Sequence, residues 1–449
     1  MIGVRGAERP RRGRGHTRMN SDFPSQSRQK RPGGPGTGEE GPARSEHCGG
    51  PRRDREPVDW AVMTATLADP VSEVVHAAEA LLTRRTGATV TLTDPVDLGG
   101  SGRSMVVRVR VAANPFSLPR TLVLKQVPPS RGTGHVDFRG SETDEQIAFL
   151  REAVSYQFTT ALAKDHRPGA ELLAYDFDAR LLVLSDLGDA TTLSEVLRNS
   201  SEAAGNTLMA LAQALGRMHA ATVGREEDFA ALLRRADVAR VADAVSQQAL
   251  DAVRGVPELL EADFGLSVPE SVRERAERAS KLFTGGRFRA FSPSDLCPDN
   301  IVVGDEGVQF LDYEWGGFRD ATLDIAYALS SFPLCLCSVP LSVDRIRAMA
   351  DAWRAEVVAM WPQLAYDEVL EERLLDALLA CIWLSTHLFL PEDHARIASV
   401  REHGLSVPRI PALRARWSLL AEFATATGHD DVAAHARDVL AHLEDRAAG

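Results

Sequence analysis

The chain has 449 residues, 44% hydrophobic and 25% charged, with a formal net charge of −12. That length fits two lobes rather than one domain, and the composition is that of a soluble globular protein. No run of eighteen apolar residues exists, which argues against a membrane span, and an acidic body argues against general nucleic-acid binding, which needs basic phosphate contacts.

Residues 1–57 are rich in Arg, Gly, Pro and Ser. They hold 13 Lys and Arg against 7 Asp and Glu, leaving 38 against 56 for the remainder. Such a tail has too little apolar surface to offset its ordering entropy, so it is expected to be disordered. It is read as an inert extension or an over-long start, with Met63 as an alternative first residue.

Asp69 and Pro70 open a predicted helix that Gly87 can close. Strands follow at Leu92–Leu98, Met105–Val111 and Thr121–Lys125. The second alternates valines with Arg108 and Arg110, so it reads as half exposed. Between the first two lies Gly99-Gly100-Ser101-Gly102. Glycines let a backbone approach phosphate, although such a cluster is commonly a plain hairpin turn. No G-x-x-x-x-G-K-[ST] sequence is present, and the loop leads into a strand, both of which argue against a Walker-type ATPase.

Lys125 is one of only four lysines, the others being Lys30, Lys164 and Lys281, in a chain that otherwise uses arginine. A lysine kept at the end of an apolar strand suggests a position unsuited to Arg's broad fork. A helix is predicted from about Thr143 to Lys164, then a strand at Leu181–Leu184. From Leu193 onward the pattern is helical except at one hairpin. Leu374 to Leu390, interrupted by Asp376, Ser385 and His387, reads as a buried core helix.

That hairpin lies within FSPSDLCPDNIVVGDEGVQFLDYE, Phe291 to Glu314. Ile301–Val303 and Val308–Leu311 are strands around a Gly304–Gly307 turn. If Val303 faces Val308, Asn300 comes opposite Leu311 and next to Asp312. An amide oxygen and a carboxylate at one point suit Mg²⁺, and Asp295, entering from the preceding loop, can take a proton from a hydroxyl. The bland alternative is a surface hairpin with ordinary turn acids.

The spacing of Asp295, Asn300, the hairpin and Asp312-Tyr313-Glu314 resembles the aminoglycoside phosphotransferase and choline kinase-like family. Its pattern is H-G-D-x-x-x-x-N, a short hairpin, then D-[WF]-E. Here Pro293, preceded by Ser292, stands where the family has His. The resemblance spans roughly residues 88–430. It implies an α+β, two-lobed protein-kinase-like fold: a β-rich nucleotide-binding lobe over 58–187 and a large helical lobe over 188–449. It further implies that Asp295 is the catalytic acid–base group, that Asn300 and Asp312 hold Mg²⁺, and that Gly99, Gly100, Ser101 and Gly102 cover ATP. Lys125 would pair with a helix Glu, for which Glu152 in F-L-R-E is preferred over Glu142, Asp144 and Glu145. Ser185, Asp186 and Leu187 would form the hinge that meets adenine through its backbone.

Asp320 and Asp324 match the family's G-D-P-x-x-D-L-A. Asp324 is expected to bond the catalytic-loop backbone, and Asp320 to cap a helix. No long activation segment follows Asp312, which favours a small-molecule hydroxyl acceptor over a protein. Trp353, Trp361, Trp383 and His387 are better read as core than as acceptor contacts. The expected activity is ATP-dependent transfer of the γ-phosphate to a small-molecule hydroxyl, in the cytoplasm, with no nucleic-acid or membrane partner. The rival reading, supported by Pro293, is a catalytically impaired nucleotide-binding or scaffold protein. Five cysteines, at 48, 297, 335, 337 and 381, show no C-x-x-C spacing. They suggest a reducing compartment without disulfides or a zinc site, with Cys297 a packing residue.

Overall fold

In the computed structural model, residues 69–100, 104–113, 118–127, 142–199, 201–238, 244–393 and 403–448 are described. The chain divides into two units, Met1–Ala65 and Thr66–Gly449, and all described residues belong to the second. The expected disordered tail, Ser101 and Gly102 lie outside them.

Asp69 accepts the N–H of Val71 and Pro70 occupies the first position of α1 (Pro70–Thr86), which Gly87 closes at φ 73°. The apolar face of α1 packs on an antiparallel sheet of β1 (Thr91–Gly99), β2 (Met105–Ala113), β3 (Thr121–Gln126), β4 (Leu172–Asp176) and β5 (Leu181–Ser185), in the order β1-β2-β3-β5-β4. In β2, Val107, Val109 and Val111 face that core while Arg108 and Arg110 turn outward, as the alternation predicts. The run Leu181–Leu184 is continuous because β5 serves two cores. Leu181 and Val183 meet α1, whereas Leu182 and Leu184 join the larger core beyond the sheet.

Phe149, Ala153 and Val154 of α2 (Glu142–Thr160) belong to that larger core. The helix stops four residues short of the predicted end. The Thr160 hydroxyl accepts the N–H of Leu172, and a 3₁₀ turn at Lys164–His166 follows. The second half contains α3 (Leu193–Asn199), α4 (Ser201–Thr222), α5 (Glu226–Arg235), α6 (Ala244–Phe264), α7 (Glu270–Ser280), α8 (Thr322–Leu329), α9 (Val343–Val357), α10 (Asp367–Phe389), α11 (Arg409–Ala426) and α12 (Asp430–Ala448). α10 is buried from Leu374 to Thr386 and packs against α6, α7, α8 and α11. No helix among the described residues is long and apolar enough to cross a membrane. Trp353, Trp361 and Trp383 lie in the core.

The hairpin of β8 (Ile301–Gly304) and β9 (Gly307–Phe310) has the predicted register, Val303 facing Val308, with β6 (Thr191–Thr192) along its edge. One expectation fails. The region after Leu193 also holds a second sheet, β7 (Arg289–Ser292) paired with β10 (Gly317–Asp320). Both strands have four residues and are buried almost throughout, so they carry no alternation to read. This pair brings the segment before Asp295 beside the segment after Glu314.

Candidate functional site

Gly99 pairs with Val106, Val106 with Lys125, and Lys125 with Leu182, in one row across the sheet. Gly99 therefore stands one strand away from Lys125. Gly99 has φ 80°, and a Cβ on Gly100 would come within 2.0 Å of the Ser104 carbonyl oxygen. The turn accommodates only glycine at these two positions.

Lys125 Nζ lies 2.7 Å from Glu152 Oε1 and 2.5 Å from Asp312 Oδ1. Glu152 is the α2 acid that meets it, and it is nearly inaccessible to solvent. Burial works against the ammonium, but Asp312 and Glu152 outweigh it, so the Lys125 pKa lies well above the ordinary lysine value. Burial also pushes the Glu152 carboxyl up, opposed by Lys125. Rings of Tyr156 on α2 and Tyr313 stand 4.7 Å apart and hold the helix against the end of the hairpin.

Leu311 N–H donates to the Asn300 carbonyl at 2.8 Å, so Asn300 sits across from Leu311 with Asp312 next in line. Asp312 takes φ 55°, a conformation disfavoured for a residue with a side chain, which turns its carboxylate back toward Lys125. The Asn300 amide nitrogen donates to Asp295 Oδ2 at 3.1 Å, and Cys297 N–H donates to Asp295 Oδ1 at 3.2 Å. With its nitrogen engaged, Asn300 has its amide oxygen left for a cation. Burial, then the charge of Glu314, push the Asp295 carboxyl up to about 6. A carboxylate so tuned is a better proton acceptor near neutral pH than an ordinary aspartate. Glu314 thus belongs to the same acidic group, and only its place in D-Y-E marked it in the sequence.

The loop before Asp295 is held by a chain of hydrogen bonds that the sequence did not disclose. Trp353 Nε1–H donates to His219 Nδ1 at 2.9 Å. The indole is only a donor, so His219 carries its proton on Nε2 and donates to Asp324 Oδ2 at 3.0 Å. Asp324 Oδ1 accepts the Ser292 hydroxyl at 2.7 Å, and Ser292 Oγ accepts the Ser294 N–H at 3.1 Å. Asp324 therefore reaches the loop through a side chain, not through the backbone as expected. Ser292 does this beside Pro293, where the family pattern has His. Ser294 follows at φ 66°. Asp320 Oδ1 accepts from Thr322 N–H and Oγ1 at the start of α8, while its Oδ2 accepts the N–H groups of Arg287 and Phe288, ahead of β7 and not in the catalytic loop.

The arrangement invites comparison with known proteins. No protein-family model matches the chain, and no curated protein matches it. The chain is similar to small-molecule kinases. A choline/ethanolamine kinase family protein from Mesorhizobium loti shares 14% identity, over 82% of this chain and 99% of that one, with a TM-score of 0.44. An aminoglycoside phosphotransferase, APH(4)-Ia, shares 15% over 76% and 98%, with a TM-score of 0.34. A putative fructosamine-3-kinase from Thermobifida fusca shares 17% over 73% and 99%, with a TM-score of 0.37. These likenesses are loose, and the functional reading stands on the site's own geometry.

Ser185 ends β5, and Asp186 and Leu187 follow it. Arg108 of β2 donates to Asp186 Oδ1 at 3.1 Å, to Asp189 Oδ1 at 3.0 Å and to the Gly188 carbonyl at 2.7 Å. Ser185 Oγ accepts the N–H of Glu171 at 2.9 Å. The side chains of Ser185 and Asp186 are thus engaged in shaping the segment. Arg108 is a contributor that the sequence showed only as an outward residue of a half-exposed strand.

Proposed function

We propose that this protein transfers the γ-phosphate of ATP to a hydroxyl of a small molecule, with Mg²⁺. The observation that carries the reading is Lys125 Nζ set between Glu152 and Asp312, with Asn300 and Asp295 in contact beside them. Hard oxygen donors at Asn300 and Asp312 fit Mg²⁺, which takes one or two carboxylates together with substrate phosphates. When bound, the ion would neutralise charge on the transferring phosphate. Lys125 would hold the phosphates, with Gly99 and Gly100 bringing backbone close to them. Asp295 would orient the acceptor hydroxyl and take its proton. Ser185–Leu187 would meet adenine through backbone atoms, and the acceptor class remains that of a hydroxylated metabolite or antibiotic.

The rival reading as an inactive nucleotide binder rested on Pro293. The bonds from Ser292 to Asp324 and Ser294 support an ordered loop without a His there. The test is mutational. Asp312→Ala is expected to weaken Mg²⁺-dependent ATP binding and abolish turnover. Asp295→Ala is expected to leave binding near the parent value and lower turnover about 10²-fold or more. Calorimetry and ATP consumption against a panel of hydroxylated compounds measure both. Equal loss of nucleotide binding in the two variants would refute this division of roles.

A further inference from the structure

Three of the five cysteines come together with one histidine. Cys297 follows Asp295 by two residues, Cys335 and Cys337 lie between α8 and α9, and His403 precedes α11. Ligand atoms of Cys297, Cys335 and His403 all lie within 4.8 Å of one another. Cys337 Sγ is 2.7 Å from Cys335 Sγ and 2.8 Å from His403 Nε2. All three cysteines are buried. Backbone pairing sets the arrangement: Cys337 bridges Ser406, Val407 N–H donates to the Leu336 carbonyl at 2.8 Å, and His403 N–H donates to Ser406 Oγ at 2.9 Å.

A second observation points to negative charge here. Arg416 of α11 is completely buried, and its guanidinium donates to Ser385 Oγ and to the carbonyls of Ser331, Phe332, Cys335 and Cys337. Every one of these acceptors is neutral, and among the described residues no carboxylate pairs with it. A buried cation without a counter-charge is strongly disfavoured. Three thiolates and a neutral imidazole around a divalent ion carry one net negative charge, which would offset Arg416. Neither three thiols nor a disulfide would carry any.

We propose that Cys297, Cys335, Cys337 and His403 form a closed four-coordinate site for a thiophilic divalent cation, zinc foremost. Three sulfurs and one nitrogen are a ligand set of structural zinc, with no position left for substrate. Loading requires local adjustment. Zinc–sulfur bonds of about 2.3 Å set sulfurs roughly 3.7 Å apart, so the Cys335–Cys337 contact widens. His403 Nδ1 accepts the Leu405 N–H at 3.2 Å. Coordination through Nε2 moves the ring proton to Nδ1 and opens that contact. Each thiol gives its proton to solvent as its sulfur binds the ion. Because Cys297 lies between Asp295 and the Pro298–Asn300 turn, the ion would tie that loop to the C-x-C segment and to the chain entering α11. The proposal is independent of the phosphotransferase reading.

Elemental analysis of the full chain, reduced, given zinc and then dialysed, tests it. About one tightly held ion per chain is expected. Cys335→Ser and Cys337→Ser should lose it, and Cys48→Ser should keep it. Cobalt loading of the unaltered chain should give the intense visible bands of a tetrahedral thiolate site, a readout that does not depend on a variant folding. The proposal is overturned if the reduced chain retains no ion, if cobalt shows only octahedral bands, or if Cys335 and Cys337 are found joined and two hydrogens lighter, with no metal.

Discussion

Because Glu152 is 2% exposed and Lys125 8%, replacing the lysine alters stability as well as chemistry. A cleft-facing lysine at a strand end would be removable at little cost to folding, but this one balances a buried carboxylate. Lys125→Met is expected to lower stability by about 3–5 kcal/mol, since Glu152 is left buried and unpaired. The double variant with Glu152→Gln should recover much of that loss, as denaturant titration will show. Lys125→Arg should keep most of the stability. It should nevertheless bind ATP almost as poorly as Lys125→Met, because the wide fork displaces either Glu152 or the phosphate. Parent-like ATP affinity in Lys125→Arg, measured by calorimetry, would remove Lys125 from the site.

At the scale of an element, the loop from Ser292 to Asn300 depends on one backbone conformation. Ser294 takes φ 66° with its N–H fixed on Ser292 Oγ. Ser294→Gly should be neutral or stabilising by up to about 1 kcal/mol, because glycine adopts that region freely. Ser294→Val, with its branched Cβ, should destabilise by more than about 1 kcal/mol. Thermal unfolding of the three proteins gives the order, and a more stable valine variant would show that the loop does not hold this conformation. Much of this region was legible in the sequence: the turn residues and β-branched runs fixed the hairpin, and its register followed from Val303 and Val308. The network behind it was not. His219 and Asp324 are 105 positions apart. The available clue was a histidine on the apolar α4 stripe of Leu211, Leu215 and Met218, where a buried polar group must find a partner. The Cys297–Cys335–Cys337–His403 group was equally hidden, since its members come from three separate segments and lack a metal-binding spacing.

Across the molecule, acid sensitivity should come partly from far outside the site. His435 on α12 is buried beside Trp417, and neither ring nitrogen has a hydrogen-bond partner among the described residues. Burial holds its pKa down to about 4, against 6.5 for a free histidine. The unfolded chain therefore takes up the proton first. The stability present above pH 6.5 is lost as the pH falls toward 4, by about 3 kcal/mol in all. Asp295, with its raised pKa, works in the opposite direction. His435→Phe should flatten the loss over that range in urea titrations, and an unchanged slope would show that His435 titrates normally. The α+β character was readable because long periodic helices and alternating strands announce themselves. The short β7 and β10 did not.

One ammonium, on Lys125, faces the carboxylates of Glu152 and Asp312, with Asp295 and Glu314 close by. On the proposed reading, sharing of this one lysine between Asp312 and the phosphates would set an order of arrival. A nucleotide without its metal would have to compete with Asp312 for the same lysine. A metal-bound nucleotide would bring a cation for Asp312 and Asn300 to hold, leaving Lys125 free to hold the phosphates. The ion would then act as an admission requirement for the nucleotide as well as an aid to the reaction.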